Sequence, residues 1–115
     1  MTTYKILLLP GDGIGPEIME ETCRVLGWYA NKRGLSFISD QDLVGGISYE
    51  THGNPATDEM IAKAKGADAV LFAAVGGPKW DGLPFKNKPE QGLMRLRKDL
   101  GLFANLRPAL CFEAL

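Results

Sequence analysis

Ile6-Leu7-Leu8-Leu9 is an unbroken aliphatic run that stops at Pro10-Gly11 and gives way to Asp12-Gly13-Ile14-Gly15-Pro16-Glu17. A short run that is apolar at every position suits a strand covered on both faces, as in parallel sheets. A strand is therefore predicted over Tyr4 to Leu9. The glycine loop then opens a helix. Pro16 fits the first helical position, where a missing N–H costs nothing, and Glu17, Glu20 and Glu21 favour the positive helix end. Strand, glycine loop and helix in this order place the chain in the α/β class with parallel elements.

The rest of the chain repeats this alternation. Ile18, Thr22, Val25, Leu26 and Tyr29 follow helical spacing and predict a core-facing stripe, with a Gly cap after Lys32-Arg33. Leu35 to Asp40 reads as a second strand. Gly45 to Gly53 holds either a short helix or a loop. Thr57 is a plausible N-cap for a helix whose Met60, Ile61 and Ala64 line one face up to Gly66. Ala69 to Val75 is a third buried strand. A Gly/Pro-rich segment from Val75 to Pro84 follows, then a helix from Pro89-Glu90 to Gly101. Leu102 to Phe112 reads as extended. There are no repeats, low-complexity tracts or linkers. The chain stops in an apolar run, Cys111 to Leu115, which predicts a stretch cut from within a domain; a short natural chain is the alternative.

Composition excludes several classes of partner. With 13 basic and 14 acidic residues the net charge is −1. That leaves no electrostatic footprint for nucleic acid or an anionic membrane. No apolar stretch approaches transmembrane length, and the N-terminus resembles neither a signal h-region nor an Arg-rich transit peptide, so a bacterial-type cytoplasmic protein is expected. Cys23 and Cys111 form no metal or redox motif and are expected as buried, reduced thiols.

Three sets of residues carry chemistry. Gly11-Asp12-Gly13-Ile14-Gly15-Pro16 follows a strand and opens a helix, as a dinucleotide fingerprint does, but its third glycine comes one residue early. Asp40 could pass for the ribose-binding acid of such a motif. The alternative is a glycine loop that only turns strand into helix. Second, Glu90, Leu93, Met94 and Arg97 are spaced i, i+3, i+4, i+7 and share one helix face. An acid, an apolar patch and a guanidinium in that order suit a short ligand with a branched alkyl group at one end and a carboxylate at the other. Third, Arg97 and Arg107 could clamp a small dianionic acid, because each planar fork matches a carboxylate. The plainer alternative is core side chains and two solvated arginines beside a turn. His52 has no partner motif and is expected only as a surface residue.

Four ordered blocks give these residues a context: Pro10-Gly11-Asp12-Gly13-Ile14-Gly15-Pro16-Glu17, Val75-Gly76-Gly77-Pro78-Lys79-Trp80-Asp81, Leu96-Arg97-Lys98, and Phe103-Ala104-Asn105-Leu106-Arg107-Pro108-Ala109. With them the chain resembles the N-terminal part of the 3-isopropylmalate dehydrogenases, within the metal-dependent β-decarboxylating dehydrogenases, over essentially all 115 residues. The resemblance implies a parallel or mixed sheet flanked by helices that is not a Rossmann fold, with residues 1–115 forming the N-terminal part of a domain whose C-terminal remainder lies elsewhere. It implies NAD-dependent oxidative decarboxylation of 3-isopropylmalate to 4-methyl-2-oxopentanoate, in leucine biosynthesis. It further implies that Arg97 and Arg107 bind the malate carboxylates, that Leu93 and Met94 face the isopropyl group, and that Glu90 lies near the nicotinamide ribose and helps discriminate the substrate. Gly77, Pro78, Lys79, Trp80, Asp81, Gly82, Leu83, Pro84, Phe85, Lys86, Asn87, Lys88, Pro89 and Glu90 would line the NAD site, with Ile14 close by. A homodimer is implied for the complete enzyme.

The family also needs a third arginine, a Tyr and Lys acid–base pair, and aspartates for Mg²⁺ or Mn²⁺, none of which can be matched here. This stretch alone is therefore expected to be inactive. Isocitrate dehydrogenases resemble one another in a Ser and an Asn where this chain has Leu93, and an apolar pocket would leave their extra carboxylate unpaired. A tartrate- or isocitrate-type relative and a non-catalytic ligand-binding module remain the alternatives.

Overall fold

A computed structural model describes residues 2–115. The chain runs β1 (Thr3–Gly11), α1 (Gly15–Arg33), β2 (Ser36–Gln41), α2 (Gly46–His52), α3 (Asp58–Gly66), β3 (Ala69–Ala74), 3₁₀ turns at Pro78–Trp80 and Phe85–Asn87, and α4 (Glu90–Asp99). The three strands are parallel in the order β2-β1-β3. The aliphatic run thus becomes the central strand, and its side chains alternate between two cores. Ile6 and Leu8 pack with Met19 and Leu26 of α1, while Leu7 and Leu9 join Val44, Ala56, Met60, Ile61, Ala64 and Leu96. Leu7 and Leu9 are 1% and 0% exposed, the burial that an apolar run with no polar alternation requires.

The predicted inward stripe of α1 holds at Leu26, which packs against the sheet, and is corrected elsewhere: Ile18, Val25 and Tyr29 are exposed, and Met19, outside the stripe, is buried. The cause is the helix start. A Cβ on Gly15 would collide with the Pro10 carbonyl and come within 2.9 Å of the Ala74 carbonyl. With Gly15 pressed against the strand ends, the face one and three turns further on, Met19 and Leu26, meets the sheet.

The segment from 45 to 53 resolves as the helix α2. Thr57 caps α3 as expected, its side chain accepting from the Met60 N–H at 3.1 Å, and Met60, Ile61 and Ala64 are buried. α4 is closed by Gly101 at φ +64°, a conformation that favours glycine. Residues 102–112 pair with no strand among the described residues and are exposed throughout. Both cysteines are exposed, which corrects the expectation of buried thiols. Cys111 falls in that unpaired segment, and Cys23 borders a cleft of about 370 Å³ beside Met19, at the rim of the sheet.

Asp40 is engaged on the fold's own surface. It lies 3.2 Å from Lys63 of α3, which also reaches Asp42 at 3.2 Å. The Gln41 N–H, and then Lys63, hold the Asp40 carboxyl below its ordinary value, and Asp40 and then Asp42 push the Lys63 ammonium up. A lowered carboxylate stabilises above its unfolded value and loses that contribution as pH falls through its folded one. A raised ammonium stabilises below its unfolded value and loses it as pH rises through its folded one. Urea midpoints of wild type and Asp40→Asn are therefore expected to differ by a small constant amount between about pH 5 and pH 9 and to converge in acid below about pH 4. A difference that persists in acid would assign the effect to something other than charge.

Candidate functional site

Parallel strands deliver their loops to one edge, and three such loops are tied together by a single carboxylate. Asp12 is 4% exposed. Its Oδ2 accepts from the Gly46 N–H at 2.6 Å and the Gly76 N–H at 3.0 Å, and its Oδ1 accepts from the Ile47 N–H at 2.7 Å. Its own N–H donates to the Ala74 carbonyl at 2.8 Å. The loops after β1 and β3 and the start of α2 are thereby fixed to one another. The sequence pattern of this stretch draws attention to its glycines rather than to Asp12. The available signal was an acid directly after a buried strand, among residues too small to pair with it.

The glycines serve close approach. Gly11, at φ +72°, and Gly15 both lie against the Ala74 carbonyl, where no Cβ fits. The loop thus turns strand into helix over the end of β3, in agreement with the plainer reading of the motif. A Cβ on Gly13 would lie 3.5 Å from the Gly76 carbonyl, and one on Gly76, at φ +99°, would lie 3.0 Å from Glu90 Oε1. Residues 13, 76 and 90 therefore form one continuous surface at the C-terminal end of β1 and β3. The order β2-β1-β3 makes this the point where successive crossovers leave for opposite faces of the sheet, the usual place for a ligand in such sheets.

α4 brings the next residues to this surface. Gly92 lets the helix approach closely: a Cβ there would meet the Pro55 carbonyl at 2.8 Å and Val44 at 2.9 Å. Leu96, one turn on, is buried in the core. With Gly92 and Leu96 facing inward, Glu90, Leu93 and Arg97 fall along one flank at about 100° per residue. Leu93 and Arg97 are half-buried and Glu90 is exposed. Met94 is not brought into the cleft that Arg97 lines. It is half exposed and lines a cleft of about 490 Å³ with Lys86, Gln91, Arg95 and Lys98. Consecutive residues of a helix point about 100° apart, so Leu93 and Met94 diverge.

Arg97 lines a cleft of about 130 Å³ with Leu102, Phe103, Ala104 and Asn105, and its carbonyl accepts from the Leu102 N–H at 3.0 Å. The segment carrying Arg107 thus starts against Arg97. Arg107 itself is exposed, and among the described residues neither guanidinium makes an ion pair. Both remain free for an anion.

Residues 77–89 form the wall beside Glu90. Trp80 covers Gly46, and Lys79 sits 5.7 Å from the Trp80 ring centroid while pairing with Glu50. Trp80 Nε1 is buried with no hydrogen-bond partner among the described residues. Phe85 is 76% exposed, and Pro78, Lys79, Asp81, Gly82, Pro84 and Lys86 are exposed around it. Leu83, Asn87 and Lys88 are half-buried and Pro89 is buried, anchoring the wall to α4. Ile14, 66% exposed, follows Gly13 and lines a shallow cleft with Ile18, Thr22 and Val25 of α1. Bare glycine backbone beside a free carboxylate at Glu90 fits the hydroxyls of a ribose. No group of three His, Cys, Asp or Glu side chains able to hold a metal exists among the described residues, so a divalent ion finds no complete site in them.

Fold and site together define a parallel α/β unit whose strand-end loops are tied to one another by Asp12. Residues 5–115 match the family described as isocitrate/isopropylmalate dehydrogenase, and the chain belongs to that family. It is 59% identical over 115 residues to the 3-isopropylmalate dehydrogenase of Ruegeria pomeroyi and 57% identical to that of Cereibacter sphaeroides. All of this chain aligns in both cases, and it spans 31% of each relative's length. Among solved structures, the apo β-decarboxylating dehydrogenase of Thermococcus kodakarensis superposes with a TM-score of 0.69 and 31% identity, over 87% of this chain and 27% of that one. The isocitrate dehydrogenase of Methylococcus capsulatus gives 0.60 and 26%, over 71% and 22%.

Proposed function

We propose that this chain supplies part of the substrate and cofactor site of an NAD-dependent 3-isopropylmalate dehydrogenase. The complete enzyme would oxidise and decarboxylate 3-isopropylmalate to 4-methyl-2-oxopentanoate, in leucine biosynthesis, as a cytoplasmic homodimer. The observation that carries this reading is the flank of α4: Glu90 against Gly76, then an apolar Leu93, then an unpaired Arg97, in a chain so similar to proteins of that name.

Each residue has a defined task. Arg97 and Arg107 hold the malate carboxylates through charge-assisted bonds, which requires the exposed segment that carries Arg107 to close toward Arg97. Leu93 receives the isopropyl group, and Met94, which lines a separate cleft, is left out of that pocket. Glu90 accepts from the nicotinamide ribose, with Gly77 to Pro89 and Ile14 as the walls of the NAD site. When bound, NAD supplies the hydride acceptor. Mg²⁺ or Mn²⁺ and the proton-transferring groups belong to residues outside this chain.

Leu93 distinguishes this reading from an isocitrate-type substrate, since an apolar side chain leaves an added carboxylate without a partner. One or two buried methyl groups are worth on the order of 1–3 kcal/mol. Leu93→Ser in the full-length dehydrogenase is therefore expected to lower kcat/KM for 3-isopropylmalate roughly ten- to a hundredfold more than for malate. Equal losses for both substrates would remove Leu93 from the alkyl pocket.

A further inference from the structure

Arg95 points to the side of α4 opposite Arg97, because residues two apart on a helix diverge by about 160°. Its guanidinium is held at three places. Nη1 donates to the Ala56 carbonyl at 2.6 Å, Nε donates to Asp99 Oδ2 at 3.1 Å, and Nη2 donates to Asp58 Oδ1. Ala56 is fully buried and Asp58 is the first residue of α3, so these bonds join α4 to a fixed part of the core. The two carboxylates, Asp58 ahead of Asp99, keep the guanidinium pKa above its ordinary value.

The other core contacts of α4 are Gly92, close against Pro55 and Val44, Leu96 in the core, and Leu100 packed on it. Apolar packing is non-directional, whereas a planar fork bonded to a carbonyl and a carboxylate fixes an angle. Leu93 and Arg97 inherit that angle. We propose that Arg95 is a positioning residue for substrate choice: by pinning α4 to Ala56 and Asp58 it sets where Leu93 and Arg97 stand at the strand ends. This rests on the reading that Leu93 and Arg97 meet the substrate.

The test is a double-substitution cycle in the full-length dehydrogenase, with Arg95→Met, Arg97→Ala and both together, reading KM for 3-isopropylmalate, KM for NAD, and kcat. Methionine keeps much of the stem's bulk and has no donors. Arg95→Met is expected to raise KM for 3-isopropylmalate about ten- to thirtyfold and KM for NAD by clearly less, because α4 meets NAD only through Glu90 at its first turn. In the Arg97→Ala background the same change should raise KM only about two- to fourfold, because residues acting through one another are not additive. Arg95→Lys, which keeps the charge but not the fork, should recover part of the loss. Fully additive effects, an unchanged KM in Arg95→Met, or an equal rise in both KM values overturn the proposal. An unaltered KM in Arg97→Ala alone removes the site reading, and the proposal with it. Should Arg95→Met not fold, Asp58→Asn enters the same cycle, with a smaller rise of the same sign expected and additivity again overturning the idea.

Discussion

Arg97→Ala in the full-length dehydrogenase is expected to lower kcat/KM for 3-isopropylmalate about ten- to a hundredfold, with Tm unchanged. A hydrogen bond to a charged group is worth roughly 1.5–3 kcal/mol, and a bidentate Arg–carboxylate pair lies at the upper end. Stability should hold because Arg97 makes no ion pair among the described residues. Arg107→Ala should behave alike, since Arg107 is exposed and equally unpaired. Steady-state kinetics beside a melting curve separates the two effects. Normal kinetics in both variants would return these arginines to the solvated surface.

Asp12→Ala is expected to cost the most in stability. It leaves the Gly46, Ile47 and Gly76 N–H groups without their acceptor in one step. A buried donor left unpaired costs about 1–3 kcal/mol, and because the Ile47 and Gly76 bonds are only part-buried the loss is expected toward the lower end of roughly 3–9 kcal/mol, still a large part of a typical domain's stability. Asp12→Asn should fall between, because its single carbonyl oxygen can replace Oδ2 or Oδ1 but not both. Urea unfolding reads this directly. A wild-type midpoint for Asp12→Ala would mean that the three loops are held by something other than this carboxylate.

Legibility in the sequence followed the range of the interactions. β1 could be read because an aliphatic run announces two-sided burial without reference to any partner. Thr57 and Gly101 marked helix ends because capping is local. α1 misled because it carries two apolar faces at helical spacing, Met19 with Leu26 and Ile18 with Val25. The choice between them is made by Gly15 meeting Ala74, a contact no local pattern contains. Asp12 was passed over for the same reason: its partners lie 34, 35 and 64 residues away. On α4 the spacing gave the flank of Glu90, Leu93 and Arg97. It could not separate Met94 from Arg97 or show that Arg95 is tied to Asp58, because both depend on which side of the helix the core takes.

What the flank of α4 accepts is decided by kcat/KM of the full-length dehydrogenase for 3-isopropylmalate and isocitrate, side by side, with NAD and Mg²⁺. An apolar Leu93 beside Arg97 predicts a preference for 3-isopropylmalate of at least about a hundredfold, since the extra carboxylate of isocitrate would be desolvated without a partner. Equal turnover, or a preference for isocitrate, would contradict the assignment of this surface.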